Sequence, residues 1–149
     1  MANAEREQCL SALLVGDYDI DRQLVHDIFH NPGWRLFEAQ DRRHALRCLD
    51  RHPIQVVIAE ADSVDGGWRR VLCDLRDRQQ PAQLIVTSRQ ADDRLWAEAL
   101  NLGAFDVLAQ PFERIEVERA VEAAYRAVMQ PAKPHSPVTV AAGLWSGAA

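Results

Sequence analysis

Polar side chains stand where the apolar runs of this sequence stop. Asp17 ends Ala12-Leu13-Leu14-Val15-Gly16, Glu60 ends Val56-Val57-Ile58-Ala59, and Thr87 closes Leu84-Ile85-Val86. Gln110 follows Phe105-Asp106-Val107-Leu108-Ala109. If these runs are parallel strands of one sheet, their ends meet at its carboxyl edge, where open α/β sheets gather their chemistry. Two carboxylates, a hydroxyl and an amide would form a small polar pocket there. The plainer reading makes Asp17 and Glu60 solvated loop acids or helix caps, and spacing alone leaves the two readings even. Two close carboxylates repel each other. Arg89, directly after Thr87-Ser88, is the candidate counter-charge; the alternative is an exposed loop arginine.

Other chemistry finds little support. Val15-Gly16-Asp17-Tyr18-Asp19-Ile20 carries one glycine, too few for a phosphate-cradling loop. The five histidines are dispersed, and Ser11, Ser63 and Ser88 show no nucleophile elbow. Cys9, Cys48 and Cys73 lack metal or redox spacing, and Cys48 and Cys73, inside apolar helical patterns, read as buried, reduced thiols.

The positioning elements follow from hydrophobic period. Val56 to Ala59 is β-branched and apolar without alternation, as in a strand buried on both faces. Residues 12–16, 34–39, 84–88 and 105–109 read as four further strands. Between them, Leu24, Val25, Ile28 and Phe29 recur at helical spacing, as do Ala45, Leu46 and Leu49. Trp68, Val71, Leu72 and Leu75 mark a third helix, and Leu95, Trp96, Ala99 and Leu100 a fourth. Val117, Val121, Ala124 and Val128 mark a fifth. Asp19 or Asp21, Asp41, and Asp92 or Asp93 are the N-caps, and Gly103 the C-cap of the fourth helix. Short connections between five strand–helix pairs require a parallel sheet covered on both faces. The fold class is α/β, a three-layer α/β/α sandwich with a five-stranded parallel sheet of the flavodoxin-like kind.

The 149 residues form one domain over 11–130, after a flexible N-terminus at 1–10. Pro131, Pro134 and Pro137 punctuate a tail, 131–149, whose composition reads as disordered. Net charge is −5 and the arginines are scattered among acids, so no basic stripe stands out and nucleic acid is not an expected partner. No run has the length of a membrane span, and no signal peptide precedes the domain, so the cytoplasm is the expected compartment.

Residues 12–128 resemble the receiver domain of two-component response regulators. Leu13-Leu14-Val15-Gly16-Asp17-Tyr18-Asp19 resembles the first strand with its acidic cluster, and Val86-Thr87-Ser88 the fourth strand with its hydroxyl. Gly103 to Phe112 resembles the family segment Gly-Ala-x-Asp-Tyr-Leu-x-Lys-Pro-Phe. The resemblance implies phosphoryl transfer from a histidine kinase to an aspartate. Mg²⁺ would neutralise the transferring group, and a lysine and the hydroxyl would bind its oxygens.

Against that pattern this sequence departs at several positions. Glu60 occupies the phosphoacceptor position, one methylene longer than aspartate. Tyr18 replaces the second acidic metal ligand, Gln110 the lysine, and Val107 the switch aromatic. The only lysine is Lys133, beyond the domain. Asp17 and Thr87 are retained. The resemblance therefore implies weak or absent Mg²⁺ binding and a pseudo-receiver acting through protein contacts. Its partners in trans would include a histidine kinase or another regulator. A homodimer through the fourth helix, fifth strand and fifth helix is a further expectation, with Trp96 and Leu100 supplying apolar area unless both are core. Two alternatives stand: a receiver that accepts phosphate on a nearby acid such as Asp62, and a small-molecule-binding or enzymatic domain on the same fold.

Overall fold

The computed structural model describes residues 9–18, 21–61, 67–79 and 81–130. Five strands and five helices alternate: β1 (Leu10–Val15), α1 (Arg22–Ile28), β2 (Trp34–Ala39), α2 (Arg42–Arg51) and β3 (Val56–Glu60). The second half comprises α3 (Gly67–Asp77), β4 (Gln83–Ser88), α4 (Asp93–Leu102), β5 (Asp106–Ala109) and α5 (Arg114–Met129). The strands form one parallel sheet in the order β2-β1-β3-β4-β5. The fold is the flavodoxin-like α/β/α sandwich that the run of alternating elements predicts. β1 opens at Leu10, one residue before the domain start read from the sequence. Residues 1–8, Asp19, Asp62 and the tail at 131–149 lie outside the described residues.

Strand alternation explains why the central runs are apolar throughout. Successive side chains point to opposite faces, so Leu13, Val15, Val57 and Val86 pack against α2, α3 and α4. Ala12, Leu14, Val56, Ile58 and Ile85 face α1 and α5 instead. Both faces are dry, and each fully buried Leu, Ile or Val contributes about 1.5–3 kcal/mol. Trp68, Val71, Leu72 and Leu75 are buried on α3, and Val117, Val121 and Ala124 on α5, as their spacing requires; Val128 is half-buried.

The helix ends bear out most of the punctuation. Asp41 accepts from the His44 amide at 2.8 Å and Asp92 from the Leu95 amide at 2.9 Å, both N-caps. Gly103 ends α4 in the left-handed region at φ 115°. Asp21 precedes α1, yet its side chain makes no capping bond, because it is spent elsewhere. The thiols depart from expectation: Cys73 is exposed and Cys48 only half-buried, since each lies beside its helix's apolar stripe rather than within it. The stripe of α4 is narrower than its composition suggests. Ala99 is buried, whereas Trp96 and Leu100 are 43% and 38% exposed. That excludes the reading of both as core.

Polar links tie the helices of one face together. Arg42 forks onto Asp74, Nε to Oδ2 at 2.6 Å and Nη2 to Oδ1 at 2.9 Å, joining α2 to α3. The Arg76 guanidinium donates to the Leu102 carbonyl at the end of α4. A Cβ on Gly103 would collide with that guanidinium besides forcing a side chain into positive φ. Gly103→Ala is expected to lower unfolding free energy by about 1–3 kcal/mol, read as a lower urea midpoint at unchanged slope. A midpoint equal to the parent's would mean that Arg76 yields without loss.

Candidate functional site

The sheet register brings the sequence-predicted residues to one edge. Glu60 ends β3 opposite Thr87 of β4, and the Ala61 amide donates to the Thr87 carbonyl at 2.8 Å. The Gln110 amide donates to the Ser88 carbonyl at 2.9 Å, continuing the β4–β5 ladder past the end of β5. By the alternation that points Ile58 and Ile85 toward α1 and α5, Glu60 and Thr87 share that face.

Tyr18 occupies the middle of this edge. It follows β1, and β3 lies between β1 and β4 in the sheet, so reaching Thr87 takes its side chain across the mouth of β3. Its phenolic oxygen lies 2.7 Å from Thr87 Oγ1, a buried hydrogen bond in which either hydroxyl donates. Tyr18 is 3% exposed and Thr87 fully buried. The ring leans on Phe112, with centroids 5.8 Å apart and planes tilted by 34°. An aromatic body in the core with a polar tip on a buried partner is the arrangement that makes tyrosine tolerable inside. Burial pushes the Tyr18 phenol far above its ordinary 10.0, partly opposed by the Thr87 hydrogen bond and reinforced by the Glu60 and Asp21 carboxylates.

Gln110 is also buried, at 7% exposure, and its side chain meets the residue that opens α1. Its Nε2 donates to Asp21 Oδ2 at 3.2 Å, while the Phe112 amide donates to Asp21 Oδ1 at 3.1 Å. Gln110 Oε1 is buried with no hydrogen-bond partner among the described residues. Asp21 is the site residue that sequence reasoning missed. Its position before a helix suggested a cap, and nothing local signals a contact 89 residues away.

The remaining candidates lie at the rim or, for Val107, in the opposite face of the sheet. Glu60 is half-buried at the strand end, and Arg89 is exposed and forms no ion pair among the described residues. Val107 is buried in the α2–α3–α4 face. Asp17 lines a cleft of about 710 Å³ beyond the ends of β1 and β2, with Tyr18, Arg22, Glu38 and His44. Arg22 Nε at 2.9 Å and His26 Nε2 at 2.8 Å both engage Glu38, so that acid is already held from two sides. Among the described residues no three His, Cys, Asp or Glu side chains come together as metal ligands.

Two measurable consequences follow from the buried phenol. Tyr18→Phe leaves Thr87 Oγ1 buried without its partner and is expected to cost about 1–3 kcal/mol in urea unfolding. A phenol protonated in the fold but free to ionise when unfolded stabilises fully below pH 10.0. That contribution is lost as pH rises from there toward the folded value, at about 1.4 kcal/mol per pH unit. The alkaline limb of the parent's stability curve is therefore expected to be steeper than that of Tyr18→Phe; parallel limbs would show that the phenol ionises in place.

Comparison with known proteins agrees with this geometry. The response regulator receiver domain family matches residues 12–122. The probable chemotaxis protein CheY of Rhizobium etli is 28% identical over 123 residues, 80% of this chain and 95% of that protein. The KDP operon transcriptional regulatory protein KdpE of Escherichia coli is 28% identical over 117 residues, 78% of this chain but only 51% of its own length. Among solved structures, the receiver domain of a putative Luxo repressor protein from Vibrio parahaemolyticus superposes with TM-score 0.73 at 19% identity, over 80% of this chain and 92% of that one. The chemotaxis response regulator CheY4 of Vibrio cholerae gives TM-score 0.68 at 19% identity, over 77% and 98%. With its five parallel strands and its match across nearly all of them, the chain belongs to the response regulator receiver domain family.

Proposed function

We propose that this receiver signals in the cytoplasm without taking up phosphate, as a pseudo-receiver that presents one conformation to protein partners in trans. The observation that carries the reading is the Tyr18–Thr87 hydrogen bond. The hydroxyl that would bind a phosphoryl oxygen is already engaged, and a phenol lies where that group would sit.

The charges support the same reading. Phosphoryl transfer depends on positioning and on cations aimed at developing negative charge. Gln110 offers only a neutral amide, and that amide is held by Asp21. Tyr18 supplies a neutral phenol where a metal site would need a second carboxylate. Asp17 and Glu60 alone suit Mg²⁺ poorly, since it takes near-octahedral oxygen ligands. Each lost donor costs about 10²–10³ in rate in comparable sites; without both lysine and metal, transfer slows by roughly 10⁴–10⁶. Glu60, longer by a methylene, is also displaced for in-line attack.

Contact would then pass through exposed apolar area on α4 and at the start of α5. Trp96, Leu100, Leu102 and Ile115 are all exposed there. We take this α4–β5–α5 face as the docking surface for a histidine kinase, another regulator or a second copy. Among the described residues no helix is long and apolar enough to cross a membrane.

Incubation of the intact chain with acetyl phosphate and Mg²⁺, followed by intact mass, is expected to show no phosphoryl gain. The combined Tyr18→Asp, Glu60→Asp, Gln110→Lys variant is expected to take up one group. Uptake by the parent chain would overturn the reading, and mapping it to Asp62 would favour the phospho-accepting alternative. On the contact side, Trp96→Ser with Leu100→Ser is expected to abolish any concentration-dependent increase in mass seen by light scattering in the parent.

A further inference from the structure

The α2 surface carries an arrangement that local physics disfavours. Arg43, Arg47 and Arg51 follow one another at i, i+4 and i+8, all exposed, along the solvent-facing line of α2. Like charges at that spacing destabilise a helix. Arg43 also lies in the first turn, which contains no acid, so it opposes the positive end of the helix dipole. Both acids beside the line are already engaged. Asp41 caps the helix through the His44 amide, and Asp50 pairs with Arg78 of α3. None of the three arginines makes an ion pair among the described residues, although Arg22, Arg42, Arg69, Arg78, Arg114 and Arg126 all do.

The line continues onto the edge strand. Phe37 of β2 stacks on His52 at the end of α2, with centroids 4.2 Å apart. Exposed Arg35 precedes Phe37 by two residues and so shares its face of the sheet. The arginines that looked scattered in the sequence are therefore gathered by helical period and strand alternation into one basic stripe, which corrects the reading that none exists.

We propose that this stripe docks an acidic segment of a partner protein, with carboxylates at helical spacing meeting Arg43, Arg47 and Arg51. The three guanidiniums span about 12 Å along the helix, the reach of three such carboxylates, and each can grip one through two parallel hydrogen bonds. A nucleic acid fits less well. Four cations release few counterions, and the chain's net charge of −5 repels a long polyanion. A bilayer fits less well too, because α2 exposes no large apolar side chain for insertion; those exposed lie on α4 and α5. The stripe borders β2, at the opposite edge of the sheet from β5, so the inference stands independently of the phosphorylation reading.

The test uses the full chain, isotopically labelled, titrated with a synthetic alanine-based helix bearing Glu at i, i+4 and i+8. Amide shifts are expected at 43–51 and around Arg35, weakening as salt rises. The Arg43→Gln, Arg47→Gln, Arg51→Gln variant is expected to bind at least about tenfold more weakly, and the same helix with Gln for Glu is expected to lose affinity to the same extent. Arg47→Glu turns two repulsions into attractions and is expected to raise Tm by about 2–5 °C while abolishing binding. Shifts that ignore the Glu-to-Gln change, or that arise elsewhere, would overturn the proposal. So would tighter engagement of 43–51 by a single-stranded RNA oligonucleotide or by phosphatidylserine vesicles, or a fall in Tm for Arg47→Glu.

Discussion

Two hydroxyls 2.7 Å apart, one from the loop after β1 and one from β4, constrain everything else at the carboxyl edge of this sheet. Neither side chain meets solvent, so neither can exchange its partner for water without opening the core. A buried hydroxyl left alone costs about 1–3 kcal/mol, and Tyr18 and Thr87 each satisfy the other. Phe112 closes the remaining side of the ring. The bond thus couples packing to polarity. The ring reaches across the end of β3, and its hydroxyl engages the Thr87 side chain.

The rest of the edge is consistent with that constraint. With Tyr18 as a neighbour, Glu60 sits half-buried at the rim, and among the described residues no metal-like cluster of side chains forms around it. The Gln110 side-chain amide and the Phe112 backbone amide together satisfy the Asp21 carboxylate. Tyr18 and Gln110, far apart in the sequence, therefore share a neighbour: the Tyr18 ring leans on Phe112, and Asp21 holds both Gln110 and the Phe112 amide.

The fold was legible because its signals are local. Unbroken apolar runs, helical stripes, and caps at Asp41, Asp92 and Gly103 each act within a few residues, and the parallel sheet follows from short connections. The strand ends at Asp17, Glu60, Thr87 and Gln110 were legible for the same reason. What the sequence concealed depends on contacts between distant segments or on exact helical angle. Asp21 resembled a cap because its partners lie some 90 residues on. Cys73 and Trp96 resembled core because hydrophobic type does not reveal which side of a narrow stripe a residue occupies. The α2 arginines looked dispersed because residues four apart in the chain become neighbours only once the helix is wound.

Asp21 also has a mechanical consequence. Its backbone opens α1, while its two carboxylate oxygens hold the side chain of Gln110 and the backbone of Phe112, just ahead of α5. The first and last helices, which share one face of the sheet, are thereby stitched at their leading ends. Any displacement of α1 would therefore be carried through Asp21 to the start of α5.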